Sequence, residues 1–437
     1  MKAIDRDILR LAVPALGALV AEPLFLLTDT ALIGHLGDAP LAGLGIASAL
    51  LQTVIGLLIF LAYATTPTVA RMLGSGNAPG AIRAGIDGLW LALLLGVAIA
   101  LVGLVAAEPL VALFGGTADV AANASLYLLV SLAGLPAMLI VIAATGLFRG
   151  LQDTRTPLVV AACGFGANIV LNVTFIYGLG WGIAGSAAGT VVAQWGMAAV
   201  LVGIAIRSAR LHGVTLRPGL SGVRGVAASG GWLLLRTASL RAAFLASVAV
   251  ATSFGVIELA AFQVATTLFF TLAFILDALA IAGQALTGHS LGAADVPRVR
   301  DIMRRLIQWG IGSGVVLGVL LAASSFVLGP VFSSTTEVQD ALASVALLMA
   351  VGVPLAGYVF VLDGVLIGAG DAKYLAITGL VNLGVYLPLL AAVYFFASGD
   401  SAILWLWAAL GFGYIGARAV TLGLRSRSTA WMVTGAR

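Results

Sequence analysis

Twelve long apolar stretches limit what this chain can fold into more than any other feature. They run approximately over 9–34, 41–70, 84–106, 122–147, 156–178, 183–206, 228–254, 259–288, 306–329, 338–367, 374–397 and 402–423. About 20 apolar residues in helical form cross a hydrocarbon core about 30 Å thick. In lipid, the backbone must satisfy its own hydrogen bonds, so each such stretch is expected to be a helix. Only 9% of the residues are charged, against roughly 25% in soluble domains, so too few polar groups exist to cover a water-soluble surface. The expectation is an all-α polytopic membrane protein with twelve transmembrane helices. The first stretch contains carboxylates and lacks a small-residue cleavage site, so it reads as a retained span rather than a signal peptide.

Loop charges alternate in step with this count. Loops after even-numbered stretches hold Arg71, Arg83, Arg149, Arg155, Arg298, Arg300, Arg304, Arg305 and Lys373, and the central loop adds Arg207, Arg210, Arg217 and Arg224. Loops after odd-numbered stretches hold Asp38, Glu108, Asp119, Glu258, Glu337, Asp340 and Asp400, with no lysine or arginine. By the positive-inside rule both termini are expected in the cytoplasm of a cell with this protein in its inner or plasma membrane. The net charge of +4 therefore marks topology and not a nucleic-acid partner.

The chain is internally duplicated. LAGLGIASALLQTVIGLLIFLAYA from Leu41 aligns without gaps to LAAFQVATTLFFTLAFILDALAIA from Leu259, an offset of 259 − 41 = 218 residues. The same offset pairs Gly37 with Gly255, Pro79 with Pro297, Pro136 with Pro354, Gly150 with Gly368 and Asp153 with Asp371. Two six-helix lobes follow, 1–218 and 219–437, in the same membrane orientation. They should be related by a pseudo-two-fold axis along the membrane normal, a plan common among secondary transporters, with a central cavity between them. The buried acids are not duplicated: Glu22 aligns with Leu240, Asp29 with Ser247, Asp277 with Ile59 and Asp363 with Thr145. A carboxylate needed only by the scaffold would be expected in both copies.

A charge at the bilayer centre costs about 2.5–3.5 kcal/mol even on lenient scales, so such residues face a cavity or a partner. Glu22 and Asp29 are two helical turns apart and share a face. Burial favours a neutral carboxyl, which suits a group that binds and releases a coupling ion; the plainer alternative is a structural hydrogen bond across helices. Asp277 and Gln284 share a face of the eighth stretch by the same spacing, and Asp363 precedes three glycines in the tenth. Arg236 and Arg241, in the seventh, are either counter-charges for Asp277 or Asp363, or in the case of Arg236 a side chain reaching the membrane surface. Asn168 and Asn172 share a face of the fifth stretch and serve either as polar company for Asp29 or as helix–helix contacts. Pro14 and Pro23 bracket Glu22 and allow the first helix to bend. Three histidines and one cysteine, Cys163, form no metal-ligand or disulfide pattern.

These residues resemble the multidrug and toxic compound extrusion (MATE) transporters, and within them the DinF-like branch. The resemblance covers nearly the whole chain. It rests on EPLFLLTDTALIGHLG in the first stretch, FRGLQDTRTP after the fourth, NIVLNVTFIYGLGWGIAGSAAGTVVAQ across the fifth and sixth, LLLRTASLR, LDALAIAGQALTGHSLGA and LDGVLIGAGDAK. It implies a V-shaped pair of bundles that export amphipathic, often cationic, compounds against an inward flow of H⁺ or Na⁺. By position it implies that Asp29 is the first-helix acid, that Asn168, Asn172 and Thr190 form the polar cluster beside it, and that Pro14 marks the bend. Arg236 and Asp363 match residues typical of the branch. Many relatives have Asp where this chain has Asn172, and losing that charge favours protons over Na⁺.

The expected activity is a proton-coupled antiporter without cofactor, acting as a monomer in the bilayer on small amphipathic molecules. The alternatives are Na⁺ coupling, export of organic anions, for which Arg236 and Arg241 speak, and a flippase for lipid-linked precursors. No metal-ligand cluster, nucleophile elbow or nucleotide loop points to an enzyme.

Overall fold

The structure, a computed structural model, describes residues 3–115 and 117–435, apart from the side chains of Glu22, Leu220, Ser221 and Asp400. The described residues form helices that account for the twelve stretches, most of them extended by several residues beyond the apolar run. In chain order they are α1 Ala3–Gly34, α2 Asp38–Gly74, α3 Ala78–Ala112, α4 Ala118–Leu132 with Leu135–Gly150, α5 Arg155–Gly178 and α6 Gly182–Leu211. The second six are α7 Leu220–Phe254, α8 Val256–Gly292, α9 Val296–Phe332, α10 Thr336–Gly368, α11 Ala372–Phe396 and α12 Ala402–Arg427. Eleven are long and apolar enough to cross a membrane as they stand, and α4 makes the twelfth when its two parts, bent by 53°, count as one.

The duplication reappears as repeated contacts. A Cβ on Gly96 of α3 would lie 2.5 Å from Pro136 Cα of α4, and one on Gly314 of α9 would lie 2.6 Å from Pro354 Cα of α10. Gly146 and Gly150 of α4 press on Ala62 and Thr66 of α2, as Gly364 and Gly368 of α10 press on Ala280 and Gln284 of α8. All these pairs are related by the 218-residue offset. Small residues at such crossings let backbones approach closely enough for packing to hold helices together in lipid. Gly96→Val or Gly314→Val is therefore expected to cost about 1–3 kcal/mol or more by overpacking. Gly203→Val, where a Cβ meets nothing within 4 Å, should leave the unfolding temperature unchanged. Thermal unfolding of the purified variants measures the contrast.

Capping and turn chemistry repeat too. Asn77 Oδ1 accepts the Gly80 N–H at 2.8 Å at the start of α3, and Asp295 Oδ1 accepts the Arg298 N–H at 3.0 Å at the start of α9. Gly37 and Gly255 turn the corners before α2 and α8 at φ 125° and 141°, backbone that side-chain-bearing residues rarely adopt.

One difference between the halves has a visible cause. Both α4 and α10 carry Gly-x-Pro, at Gly134 and Gly352, yet only α4 is broken there. Trp195 of α6 donates its Nε1–H to the Ala133 carbonyl at 2.9 Å, satisfying an acceptor that the break leaves unpaired. The equivalent residue in the second half is Gly413, which has no donor to offer.

The chain divides into two compact units, Gly17–Gly230 and Met1–Leu16 with Gly231–Gly435. These differ from the repeat halves 1–218 and 219–437 because α1 and α7 each change unit along their length. Helix α1 does so at Leu16–Gly17, two residues after Pro14, and α7 does so at Gly230–Gly231, after Ser229. Proline and Gly/Ser pairs are where helices bend with least cost, although α1 itself is an unbroken helix through both Pro14 and Pro23.

Each displaced start is pinned by side chains. At the start of α1, Asp5 accepts from Arg305 Nη2 at 2.7 Å and Trp309 Nε1 at 3.1 Å, and Asp7 pairs with Arg298 at 3.2 Å. Before α7, Asp87 of α3 accepts the Gly219 N–H at 2.8 Å, and Trp90 Nε1 donates to the Leu216 carbonyl at 2.8 Å.

Candidate functional site

Two buried polar clusters stand out, one in each compact unit. The first is built around Asp29 on α1, only 2% exposed. Asn172 of α5 donates from Nδ2 to Asp29 Oδ1 at 2.5 Å. Tyr127 of α4 places its hydroxyl 3.5 Å from Asp29 Oδ2. Asn168, one turn before Asn172, donates to Thr190 Oγ1 of α6 at 3.1 Å and exchanges bonds of 3.3–3.4 Å with the Asn172 amide. Helical spacing explains the arrangement: Asn168 and Asn172 are i and i+4 on α5, and both are fully buried.

Two backbone features make room for this cluster. Gly189 of α6 lies directly against Asn172 Oδ1, so any side chain there would collide with the amide. Helix α5 then leaves its regular pattern in a π-helical turn at Thr174–Gly178, a distortion that is frequent near functional sites. The Ser186 hydroxyl of α6 is also buried, beside the Tyr127 hydroxyl. Among the described residues no lysine or arginine pairs with Asp29. Its company is neutral: two amides and hydroxyls.

The second cluster is ionic. Arg236 of α7 holds both oxygens of Asp363 on α10, through Nη2 to Oδ2 and through Nε to Oδ1 at 3.2 Å. Arg418 of α12 approaches the same carboxylate at 3.4 Å. The Arg236, Asp363 and Arg418 side chains are 10%, 10% and 12% exposed. Beside them the Tyr386 and Tyr414 rings pack tilted at 53° with centroids 5.3 Å apart, and the Tyr386 and Ser247 hydroxyls are 2.6 Å apart. Tyr414 closes the π-helical turn Ala409–Tyr414 of α12. Of the two partners the sequence left open for Arg236, the structure pairs it with Asp363.

Other sequence-derived candidates are placed elsewhere. Arg241 lies five residues beyond Arg236, about 140° around the helix; it is exposed, with no ion pair among the described residues. Gln284 is 1% exposed, its backbone under Gly368 of α10, so it belongs to the α8–α10 contact rather than an open face. Asp277 is half-buried on α8. Glu22 lies in helix α1, but its side chain falls outside the described residues.

Sequence reasoning missed Tyr127, Arg418 and Asp87. Tyr127 is a single tyrosine in an apolar run and carries no distinguishing signal. Arg418 did carry one, an arginine deep within 402–423, and so did Asp87, an acid within 84–106.

Comparison with known proteins agrees with the fold. The family model MatE matches residues 14–174 and 234–397. DNA damage-inducible protein F of Escherichia coli is 30% identical over 84% of this chain and 81% of its own length. Protein DETOXIFICATION 45, chloroplastic, of Arabidopsis thaliana is 27% identical over 87% of this chain and 72% of its own. The crystal structure of the Vibrio cholerae MATE transporter VcmN in the bent form superposes with a TM-score of 0.88 at 22% identity, covering 98% of each chain. The chain is a multi-pass membrane protein of the MatE family, the multidrug and toxin efflux transporters.

Proposed function

We propose that this protein is a proton-coupled antiporter that exports amphipathic, often cationic, compounds. The observation that carries this reading is the neutral surroundings of Asp29. Burying a charge without a counter-charge costs several kcal/mol, and the Asn172 and Tyr127 dipoles do not supply one. A proton taken up by the Asp29 carboxyl does. Binding of H⁺ and of substrate drives a cycle only if each has different affinities for the two conformations, so Asp29 is assigned the step at which the proton is exchanged. Asn172 orients the carboxyl, Asn168 holds Asn172, and Thr190 holds Asn168 in turn.

Two specific observations favour second readings. The amide and hydroxyl oxygens of Asn168, Asn172, Thr190 and Tyr127 beside one carboxylate are the ligand type that Na⁺ accepts. Arg236 and Arg418, two guanidinium groups on one carboxylate, favour organic anions as cargo. The setting proposed is the cell membrane, with a monomer whose termini both lie in the cytoplasm, following the arginine-rich loops.

Transport by purified protein in liposomes tests these readings together. An imposed ΔpH is expected to drive export of a cationic dye, while ΔpNa at constant pH does not. Export driven by ΔpNa alone would replace the proton with Na⁺, and export of anions but not cations would overturn the substrate class.

A further inference from the structure

A groove on the surface of α9, within the second compact unit and remote from Asp363 along the chain, has the dimensions and chemistry of a lipid site. It encloses about 610 Å³. Its polar end is formed by Asp5, Arg305, Gln308 and Trp309, and its apolar end by Ile275 of α8 with Val316 and Leu317. Gly312 and Ser313 form a low floor between the two ends. From Arg305 to Leu317 the helix rises about 18 Å at 1.5 Å per residue, close to the depth of one leaflet and its interface. Trp309 stands at the polar end, where tryptophans gather at the membrane interface.

We propose that this groove seats one anionic glycerophospholipid, with an acyl chain along Gly312–Leu317 and the headgroup phosphate against Arg304. Charge selects this occupant. The first ten residues of α9 carry Arg298, Arg300, Arg304 and Arg305 against Asp301 alone. Asp5 and Asp7 engage Arg305 and Arg298. Arg304 is 71% exposed, with only a 3.9 Å contact to Asp301, and Arg300 makes no ion pair among the described residues. Arg304 lies one helical turn above Gln308, at the groove's edge, and Gln308 Oε1 already accepts from Arg305 Nη1 at 2.7 Å. The Gln308 amide N–H groups are not used by that bond. Asp5 and Arg305 neutralise each other within the groove, so the uncommitted positive charge beside it comes from Arg304 and Arg300, matching phosphate oxygens, which only accept. An amphipathic cation would meet the same arginines and be repelled, which separates this site from the proposed cargo. The inference does not depend on the coupling ion or on the direction of transport.

Native mass spectrometry of the full-length, delipidated protein tests it, with phosphatidylglycerol or phosphatidylethanolamine of identical chains added back. Wild type is expected to retain one phosphatidylglycerol under conditions that strip phosphatidylethanolamine. Gly312→Leu should abolish that retention: a Cβ there meets nothing within 4 Å, so the leucine fills the groove without disturbing the helix. Arg304→Gln, at an exposed position, should weaken phosphatidylglycerol about fivefold, or about 1 kcal/mol for one arginine near the phosphate. Equal retention of phosphatidylglycerol by wild type and Gly312→Leu would overturn the groove as the site. Equal retention of the two lipids, or of neither, would overturn the anionic assignment.

Discussion

Asp29→Asn is expected to reduce gradient-driven export in proteoliposomes to the level of protein-free vesicles, with the unfolding temperature nearly unchanged. Asparagine keeps the shape of the side chain, and its Oδ1 still accepts from Asn172 or Tyr127. Its Nδ2 takes the place of Oδ2, whose neighbour is the Tyr127 hydroxyl 3.5 Å away, and that hydroxyl oxygen can accept. The net change in hydrogen bonding is therefore of order 1 kcal/mol. What is lost is the ability to exchange a proton, so transport and stability should separate cleanly. Undiminished ΔpH-driven export by a well-folded Asp29→Asn protein would remove Asp29 from the coupling step.

Asp363→Asn is expected to give the largest loss of stability of any single polar substitution in the second compact unit. It leaves Arg236 and Arg418, both nearly buried, without the carboxylate they share. Breaking a buried ion pair by removing one partner costs about 3–5 kcal/mol. For a unit of roughly 200 residues each kcal/mol lowers the unfolding temperature by about 2–4 °C, so the drop should be about 6–20 °C. The triple replacement Arg236→Met, Arg418→Met, Asp363→Leu should recover most of it, because apolar groups of similar volume remove the desolvation penalty along with the charges. Thermal unfolding of the variants decides the matter. An unchanged midpoint for Asp363→Asn would mean that the cluster is open to water and contributes little to the fold. Transport by the stable triple variant then separates a structural ion cluster from one that contacts cargo, since loss of export without loss of fold assigns the charges to transport.

The helix count was legible because charge is so scarce. A few misplaced arginines would have broken the loop alternation, and none did. The duplication was legible because it preserved spacing, and Gly96–Pro136 and Gly314–Pro354 show why: substitution at those crossings would force the backbones apart. The polar residues were legible one at a time, since each costs free energy in an apolar stretch and therefore stands out. Their partners were much less so. Arg236 had two carboxylates to choose from, and only the packing of α7 against α10 and α12 selects Asp363 and adds Arg418. Tyr127 joins Asp29 from a position that resembles any core tyrosine. At the bend in α4 a carbonyl is capped by Trp195 from a different helix, while the same Gly-x-Pro in α10 lies within one continuous helix.

The sequence alone determined the helical class, the number of spans, the repeat, and which acids belong to one half only. These depend on hydropathy and spacing, which are local and act residue by residue. The tertiary structure decided which neutral groups surround Asp29, which arginines share Asp363, and that α1 and α7 begin in one compact unit and end in the other. Those outcomes depend on how far each helix is rotated and how deep it sits against its neighbours. Close glycine contacts set both, and pairwise distances between residues far apart in the chain are not encoded in any single stretch.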